Sequence, residues 1–463
     1  MATLTFLGAT GTVTGSKYLF EHRDSSILVD CGLFQGLKEL RLRNWMPLKI
    51  NVHELGAVVL THAHIDHTGY LPRLIKQGYN KAIYCTEATR GLLQIMLLDS
   101  AHLQEEDAKY ANKRGTSKHK PALPLYSMED AKQTIKLLKG IPYDTPFRPS
   151  PDIMMSFRDA GHILGSAFVI GRWDESGQER KIVFSGDLGR YERPILKDPS
   201  VILDTDYLLV ESTYGKRLHN QGNPEEEIKR IVQDTYKRRG VVVIPAFSVG
   251  RTQELLYTLR ELESAGEIPV LPVYVDSPMA IKATKLYAKH TEIYDKDAAR
   301  LREQGIDVLQ TARTEFTESV DASKRINASQ DPCIIISASG MLTGGRILHH
   351  LIRRLPSPKN TIVFVGYQAV GTRGRALQNG KDKIKIHGMQ IKSAAKIETI
   401  NEFSAHADYR EILSWLKQYK KAPKNTFIIH GEPDASINLQ KLIKEELGWN
   451  THIPQYQEKV RLD

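Results

Sequence analysis

An α/β fold, in which one domain is interrupted by a second, inserted one, is what the sequence predicts. Three observations carry this expectation. Short apolar runs that stop abruptly at His, Asp or Glu recur through the first part of the chain and again near its end. Between these regions, apolar runs alternate with helical segments, the pattern of a parallel sheet covered by helices on both faces. The length, 463 residues, exceeds what one core usually supports. The expected division is residues 1–211 and 376–463 as one domain and 212–375 as the insertion.

The elements justify this in order. Residues 4–7 read as a strand, and the Gly-rich stretch 8–16 follows. A dinucleotide-binding turn would open a helix there, but another strand-like run, 17–20, comes next, so that reading fails its context test. Residues 26–29 end in Asp30, and 57–60 run into Thr61-His62-Ala63-His64-Ile65-Asp66-His67-Thr68-Gly69. A helix over 71–77 closes at Gly78. The stretch 99–120 is polar and ends in a basic run, the character of a solvated helix and loop. His102 and His119 within it read as surface residues. Runs 153–157, 181–184 and 207–210 lead to Gly161-His162, Gly186-Asp187 and Glu211.

The texture then changes. A helix over 223–239 carries Pro224 in its first turn, with three glutamates at the positive end of its dipole. Strands over 241–244, 270–275, 333–336 and 361–365 follow, separated by helices over 251–263, 280–290 and 345–355. Residues 294–329 read as a charged, helical excursion. After Arg375, short strands at 383–386 and 394–397 suggest a return to the first domain. Phe403-Ser404-Ala405-His406-Ala407-Asp408 and a strand over 426–429 ending at His430 restore the earlier grammar.

Composition bounds the function. Hydrophobic content of 41% and charged content of 25% suit a soluble globular chain, and no stretch approaches the roughly 18 apolar residues of a membrane span. The N-terminus lacks a charged n-region and apolar h-region, so no membrane partner and a cytoplasmic location are expected. Cys31, Cys85 and Cys333 are scattered and read as reduced core residues. The net charge of +10 favours a polyanionic substrate.

The chemistry concentrates in residues 61–69. Side chains two apart in an extended segment share a direction, so His62 and His64 can hold one ion, joined by His162. Asp66 and His67, past the turn, can hold a second with His430, and Asp187 can bridge. Two metals about 4 Å apart can hold a hydroxide and stabilise both attacking and leaving oxygens at phosphorus. Nitrogen and oxygen ligation with several histidines favours two Zn²⁺, and Mn²⁺ tolerates the same set.

These residues, with Asp30, resemble the metallo-β-lactamase superfamily, whose fold is an αββα sandwich with the metals at one edge. Glu211-Ser212-Thr213-Tyr214-Gly215, the segment around His406 and Ile429-His430-Gly431-Glu432 resemble the further motifs of its β-CASP nucleases, which carry an inserted parallel-sheet domain. The resemblance implies single-stranded RNA as the substrate, because RNA-cleaving members carry a metal-ligating His at the position of His430. It implies that His406, oriented by Glu211, protonates the leaving 3′ oxygen, with Asp30 and Asp66 completing the catalytic set. The products would be a 5′-phosphate and a 3′-hydroxyl, from endonucleolytic cleavage.

The insertion would clamp the strand. Ser337, Ser339 and Gly340 follow a strand and precede a helix, where exposed N–H groups and hydroxyls can cradle a phosphate. Arg251, Arg373 and Arg375 are further candidate phosphate contacts. His349, His350 and His387 read as an ordinary helix face and a strand residue. Three rival functions remain: a 5′-exoribonuclease, a small-molecule metallo-hydrolase and a non-catalytic RNA-binding paralogue. A homodimer is also left open.

Overall fold

The computed structural model describes residues 1–219, 222–366, 368, 371–400 and 403–463. It divides into two units: Met1–Arg193 with Lys197–Leu218 and His406–Asp463, and Pro194–Leu196 with His219–Ala405.

The first unit contains two seven-stranded sheets. One runs in the order Lys459–Leu462, Ala2–Phe6, Tyr18–His22, Ser25–Val29, Ala57–Val59, Ile83–Thr86, Leu138–Ile141. The other runs Thr451–His452, Asn425–Ile429, Tyr207–Glu211, Gln178–Phe184, Ala167–Glu175, Ile153–Asp159, Phe147–Ser150. Alternation along Ala2, Leu4 and Phe6 turns every second side chain inward, against Met155, Phe157, Val169, Phe184 and Phe427 of the opposite sheet. Each of the larger side chains, Leu4 and Phe6 among them, contributes about 1.5–3 kcal/mol by leaving water. The outer face of the second sheet packs Phe168, Leu208 and Ile428 against Trp415, Leu416 and Leu439 of helices Tyr409–Leu416 and Pro433–Leu447. Helix Glu87–Arg114 packs on the end of the first sheet, held at its start by the Thr86 side chain, which accepts from Thr89 N. The layers are therefore α, β, β, α.

The second unit is built on a six-stranded parallel sheet, ordered Thr314–Phe316, Val273–Val275, Ile334–Ser337, Val242–Pro245, Thr361–Phe364, Lys396–Thr399. Its central strands are buried along their whole length and carry apolar residues on both faces. Helix Pro224–Lys237 begins as its sequence dictates: Asn223 accepts from Glu225 N, and Pro224 occupies the first turn.

Two expectations need correction. Residues 376–405 do not return to the first unit. Lys396–Thr399 pairs in parallel with Thr361–Phe364 and extends the inserted sheet, and Ile384, Ile386 and Ile391 of the hairpin Lys383–Ile386/Met389–Lys392 join its core. The second unit thus ends at Ala405 rather than at 375. The excursion 294–329 is also not purely helical, because Thr314–Phe316 adds an edge strand beside Val273–Val275.

Candidate metal centre

The strand ends of the first unit deliver the site. Val59 is followed by Leu60 and Thr61, and His62 and His64 project before a short helix, Ile65–Thr68, whose first turn carries Asp66 and His67. Gly186 adopts φ +53, and a Cβ there would lie 2.6 Å from Thr61 Cβ, so only glycine lets Asp187 approach this segment. His430 caps strand Asn425–Ile429 at φ 49, a conformation that costs a non-glycine residue energy and is kept where the surroundings demand it.

All seven candidate ligands converge. His62, His64, His162 and Asp187 present ligand atoms within 4.8 Å of one another, and so do Asp66, His67 and His430. His62 Nε2 lies 3.1 Å from His64 Nδ1, and His162 Nε2 lies 3.4 Å from the same atom. His67 Nε2 is 3.2 Å from His430 Nε2. Asp187 stands between the groups: Oδ2 is 3.3 Å from His62 Nε2, and Oδ1 is 3.2 Å from His67 Nε2 and 3.4 Å from His430 Nδ1.

Electrostatics favour a cation. Burial, reinforced by the neighbouring His67, lowers the pKa of His62 to about 3. Burial and the facing His406 push His162 well down, and burial lowers His64. These rings are held neutral, as metal ligation requires. Burial opposes ionisation of Asp187, but the neighbouring histidines, His430 and His67 foremost, outweigh it and hold the carboxyl well below its usual range. Asp187 Oδ1 is nonetheless buried without a hydrogen bond. A fully buried carboxylate oxygen 3.2 Å from His67 Nε2 and 3.4 Å from His430 Nδ1, with no hydrogen bond of its own, fits a divalent metal ion.

Supporting side chains orient these groups. Asp30 is not among the converging ligands; its Oδ2 pairs with His67 Nδ1 at 2.7 Å, and it accepts from Thr61 N at 2.8 Å and from the Thr61 hydroxyl. Thr213 Oγ1 lies 3.1 Å from His430 Nδ1, and Ser16 Oγ lies 3.3 Å from His67 Nε2. Lys17 is fully buried and donates to the carbonyls of Gly32 and Gly15, tying the two loops that flank His67. The roles of Thr61, Thr213, Ser16 and Lys17 escaped the sequence reading: Thr61 and Thr213 stand inside the ligand motifs, whereas Ser16 and Lys17, at the end of the Gly-rich stretch, carry no local signal.

His406 lies beside the cluster. Its Nδ1 is 3.2 Å from both Glu211 oxygens and 3.9 Å from Asp187 Oδ2. Burial opposes its charge, but Glu211 and Asp187 prevail and raise its pKa to about 9. Glu211 is itself fully buried and accepts from Leu188 N at 2.6 Å.

In the second unit the candidate phosphate residues have internal partners. The buried Ser337 donates its hydroxyl to Asp276 O at 2.8 Å, whereas Ser339 Oγ accepts from Thr343 N at 3.1 Å. Gly340 O accepts from the Gln368 amide. Arg251 pairs with Glu254. Arg373 donates to the carbonyls of Lys385 and Leu342. His387 sits in the hairpin turn at φ 46, not in a strand, and its ring stacks on His349 with centroids 5.0 Å apart. His350 is wholly buried against Asp276, a more committed role than an ordinary helix face.

Two sheets between helices, with histidines and carboxylates gathered at one edge, define a metallo-hydrolase architecture. Residues 10–228 match the metallo-beta-lactamase superfamily, 252–377 match the Beta-Casp domain and 390–454 match the Zn-dependent metallo-hydrolase RNA specificity domain. Ribonuclease TTHA0252 of Thermus thermophilus is 36% identical over 94% of both chains. The transcription termination factor FttA of Methanosarcina mazei is 33% identical over 99% of this chain and 71% of its own length. A solved protein of unknown function from Enterococcus faecalis shares the fold, with a TM-score of 0.55 at 13% identity over 99% of each chain. The chain belongs to the β-CASP family of the metallo-β-lactamase superfamily. Among the described residues no helix is long and apolar enough to cross a membrane.

Proposed function

We propose that this protein is a zinc-dependent ribonuclease that hydrolyses single-stranded RNA endonucleolytically, leaving a 5′-phosphate and a 3′-hydroxyl. The observation that carries the reading is the Glu211–His406 pair set directly against the seven-ligand cluster. A general acid so close to a metal cluster suits cleavage of a bond whose leaving oxygen needs a proton. Likeness to a named ribonuclease supports RNA as the substrate.

His62, His64 and His162 would hold one ion, and Asp66, His67 and His430 the other, with Asp187 shared. When bound, the ions would supply Lewis-acid stabilisation of the phosphoryl oxygens and activate water at neutral pH. The chain's own residues would do the rest. Asp30 and Thr61 would fix the His67 ring, and Thr213 would fix His430. Glu211 would hold His406 through Nδ1, and the raised pKa keeps that imidazole protonated near neutrality. His406 would hand its proton to the departing 3′ oxygen. The loop around Ser339 and Gly340 and the side chains of Arg251 and Arg373 would contact substrate phosphates in the second unit.

The test is incubation of the purified protein with end-labelled RNA, single-stranded DNA and a β-lactam, with Zn²⁺ or Mn²⁺ present. Internal cleavage of RNA alone is expected, at equal rates for 5′-triphosphate and 5′-monophosphate ends. Absence of RNA cleavage under both metals would refute the reading, and a strict requirement for a 5′-monophosphate would replace endonuclease with 5′-exonuclease.

A further inference from the structure

An open cleft of about 360 Å³ in the first unit lies outside the metal centre and is lined by Thr10, Gly11, Pro433, Ile437, Ile453 and Tyr456, among others. Its volume falls within the roughly 300–1,000 Å³ of small-ligand clefts. We propose that it is a nucleobase subsite, in which a base of the RNA strand near the scissile phosphate stacks on Tyr456. The inference rests on the ribonuclease reading and deepens it.

Position is the first argument. Two walls of the cleft, at Thr10–Gly11 and at Pro433, come from segments that adjoin the candidate metal ligands. Ala9 O, one residue before Thr10, accepts from His430 N at 2.8 Å. Ser16, at the other end of the same loop, donates its N–H to Asp66 O at 2.9 Å. Pro433 lies three residues beyond His430 and opens helix Pro433–Leu447. The cleft is thus built on the same backbone segments that hold His430 and Asp66.

Chemistry is the second. Tyr456 stays 37% exposed and Ile437 60% exposed, although both are large and apolar. Tyr456 is held by its neighbours: its ring meets Phe34 edge-on with centroids 6.2 Å apart, and the Arg43 guanidinium sits 4.3 Å from its centroid. A rigid aromatic ring beside a guanidinium is a stacking platform for any base. Thr10, which lines the cleft, has a buried Oγ1 without a hydrogen bond.

Charge is the third. Helix Lys38–Arg43, which supplies Arg43, carries Lys38, Arg41 and Arg43 against a single acid, Glu39. Lys49 reaches the Tyr456 loop through Gln457. Of the acids on the cleft's other side, Asp434 is neutralised by Lys216 at 2.6 Å. The cations suit a phosphodiester chain whose base enters an apolar cleft, and they distinguish this occupant from a neutral metabolite.

The experiment uses full-length, metal-loaded protein and RNA oligonucleotides in which one abasic nucleotide is moved across the cleavage site. In the wild type, one position is expected to raise KM about 10-fold, the usual loss for one stacked base. Tyr456→Ala should raise KM on intact RNA by the same factor with kcat and metal content retained, and Tyr456→Phe should restore it. Combined, the abasic site and Tyr456→Ala should cost no more than either alone. Fully additive losses, or Tyr456→Ala indistinguishable from wild type, would overturn the subsite while leaving the ribonuclease reading intact. A wild-type protein that cleaves no RNA would overturn both.

Discussion

Each unit buries an aspartate against histidine, a single ring in one and several in the other, and the two differ in what they leave unsatisfied. In the second unit Asp276 is fully engaged: Oδ1 accepts from Arg346 at 2.7 Å, and Oδ2 meets His350 Nε2 at 2.7 Å and the Ser323 hydroxyl at 2.5 Å. In the first unit Asp187 lies within 3.9 Å of five imidazoles, those of His62, His67, His162, His406 and His430, yet one oxygen makes no hydrogen bond. Buried polar groups are normally paired. A satisfied aspartate is a structural hub, whereas one with a buried oxygen lacking a hydrogen bond amid candidate ligands is a place for a cation. The count of ligand-type residues does not separate the two; the geometry of what remains unpaired does.

The contrast can be broken by substitution. Asp187→Asn should abolish turnover and strip bound metal, which elemental analysis reads directly; full occupancy in this variant would mean Asp187 is no ligand. His406→Ala should lower turnover roughly 10²–10⁴-fold with metal content intact, the loss expected of a general acid. If metal fell as well, His406 would belong to the ligand set.

Asp276→Ala should act in the opposite way. Metal content should survive, while stability falls by about 3–5 kcal/mol, because His350 and Arg346 lose a buried partner. Burial opposes ionisation of Asp276, but His350, Ser323 and Arg346 depress its pKa below 3.8. A depressed carboxylate stabilises the fold above the unfolded value and loses that contribution as pH falls through the folded one. The stability gap between wild type and Asp276→Ala should therefore be full above about pH 4 and shrink in stronger acid, as urea titrations across pH would reveal. A gap that is flat with pH would remove Asp276 from the hub. Thr213→Val, the mildest change, should weaken metal affinity about 10–100-fold by freeing the His430 ring. Unchanged affinity in a chelator competition would make Thr213 a bystander.

Much of the first unit was legible because its signal is local. Apolar runs ending at His62, His162, Asp187, Glu211 and His430 announce strands that deliver ligands to one edge, and a ligand triplet such as His62, His64 and His67 has few folding explanations. What escaped depended on pairing across long sequence separations. Lys396–Thr399 is a strand of four residues whose composition says nothing about which sheet it joins; only its partner, Thr361–Phe364, assigns it. Thr314–Phe316, with three residues, is too short for any period to show. His350 looked ordinary because Asp276, 74 residues away, is what gives it meaning. Thr61 and Thr213 carry no chemical signature until the rings that they orient are in place.

The central claim is that one buried cluster holds the metals on which RNA cleavage depends. Chelated protein should be titrated with Zn²⁺ while bound metal and cleavage of a labelled RNA are followed together. Two ions per chain are expected, with turnover rising as the second site fills. Turnover by the metal-free protein, or saturation of binding and activity at one ion, would contradict it.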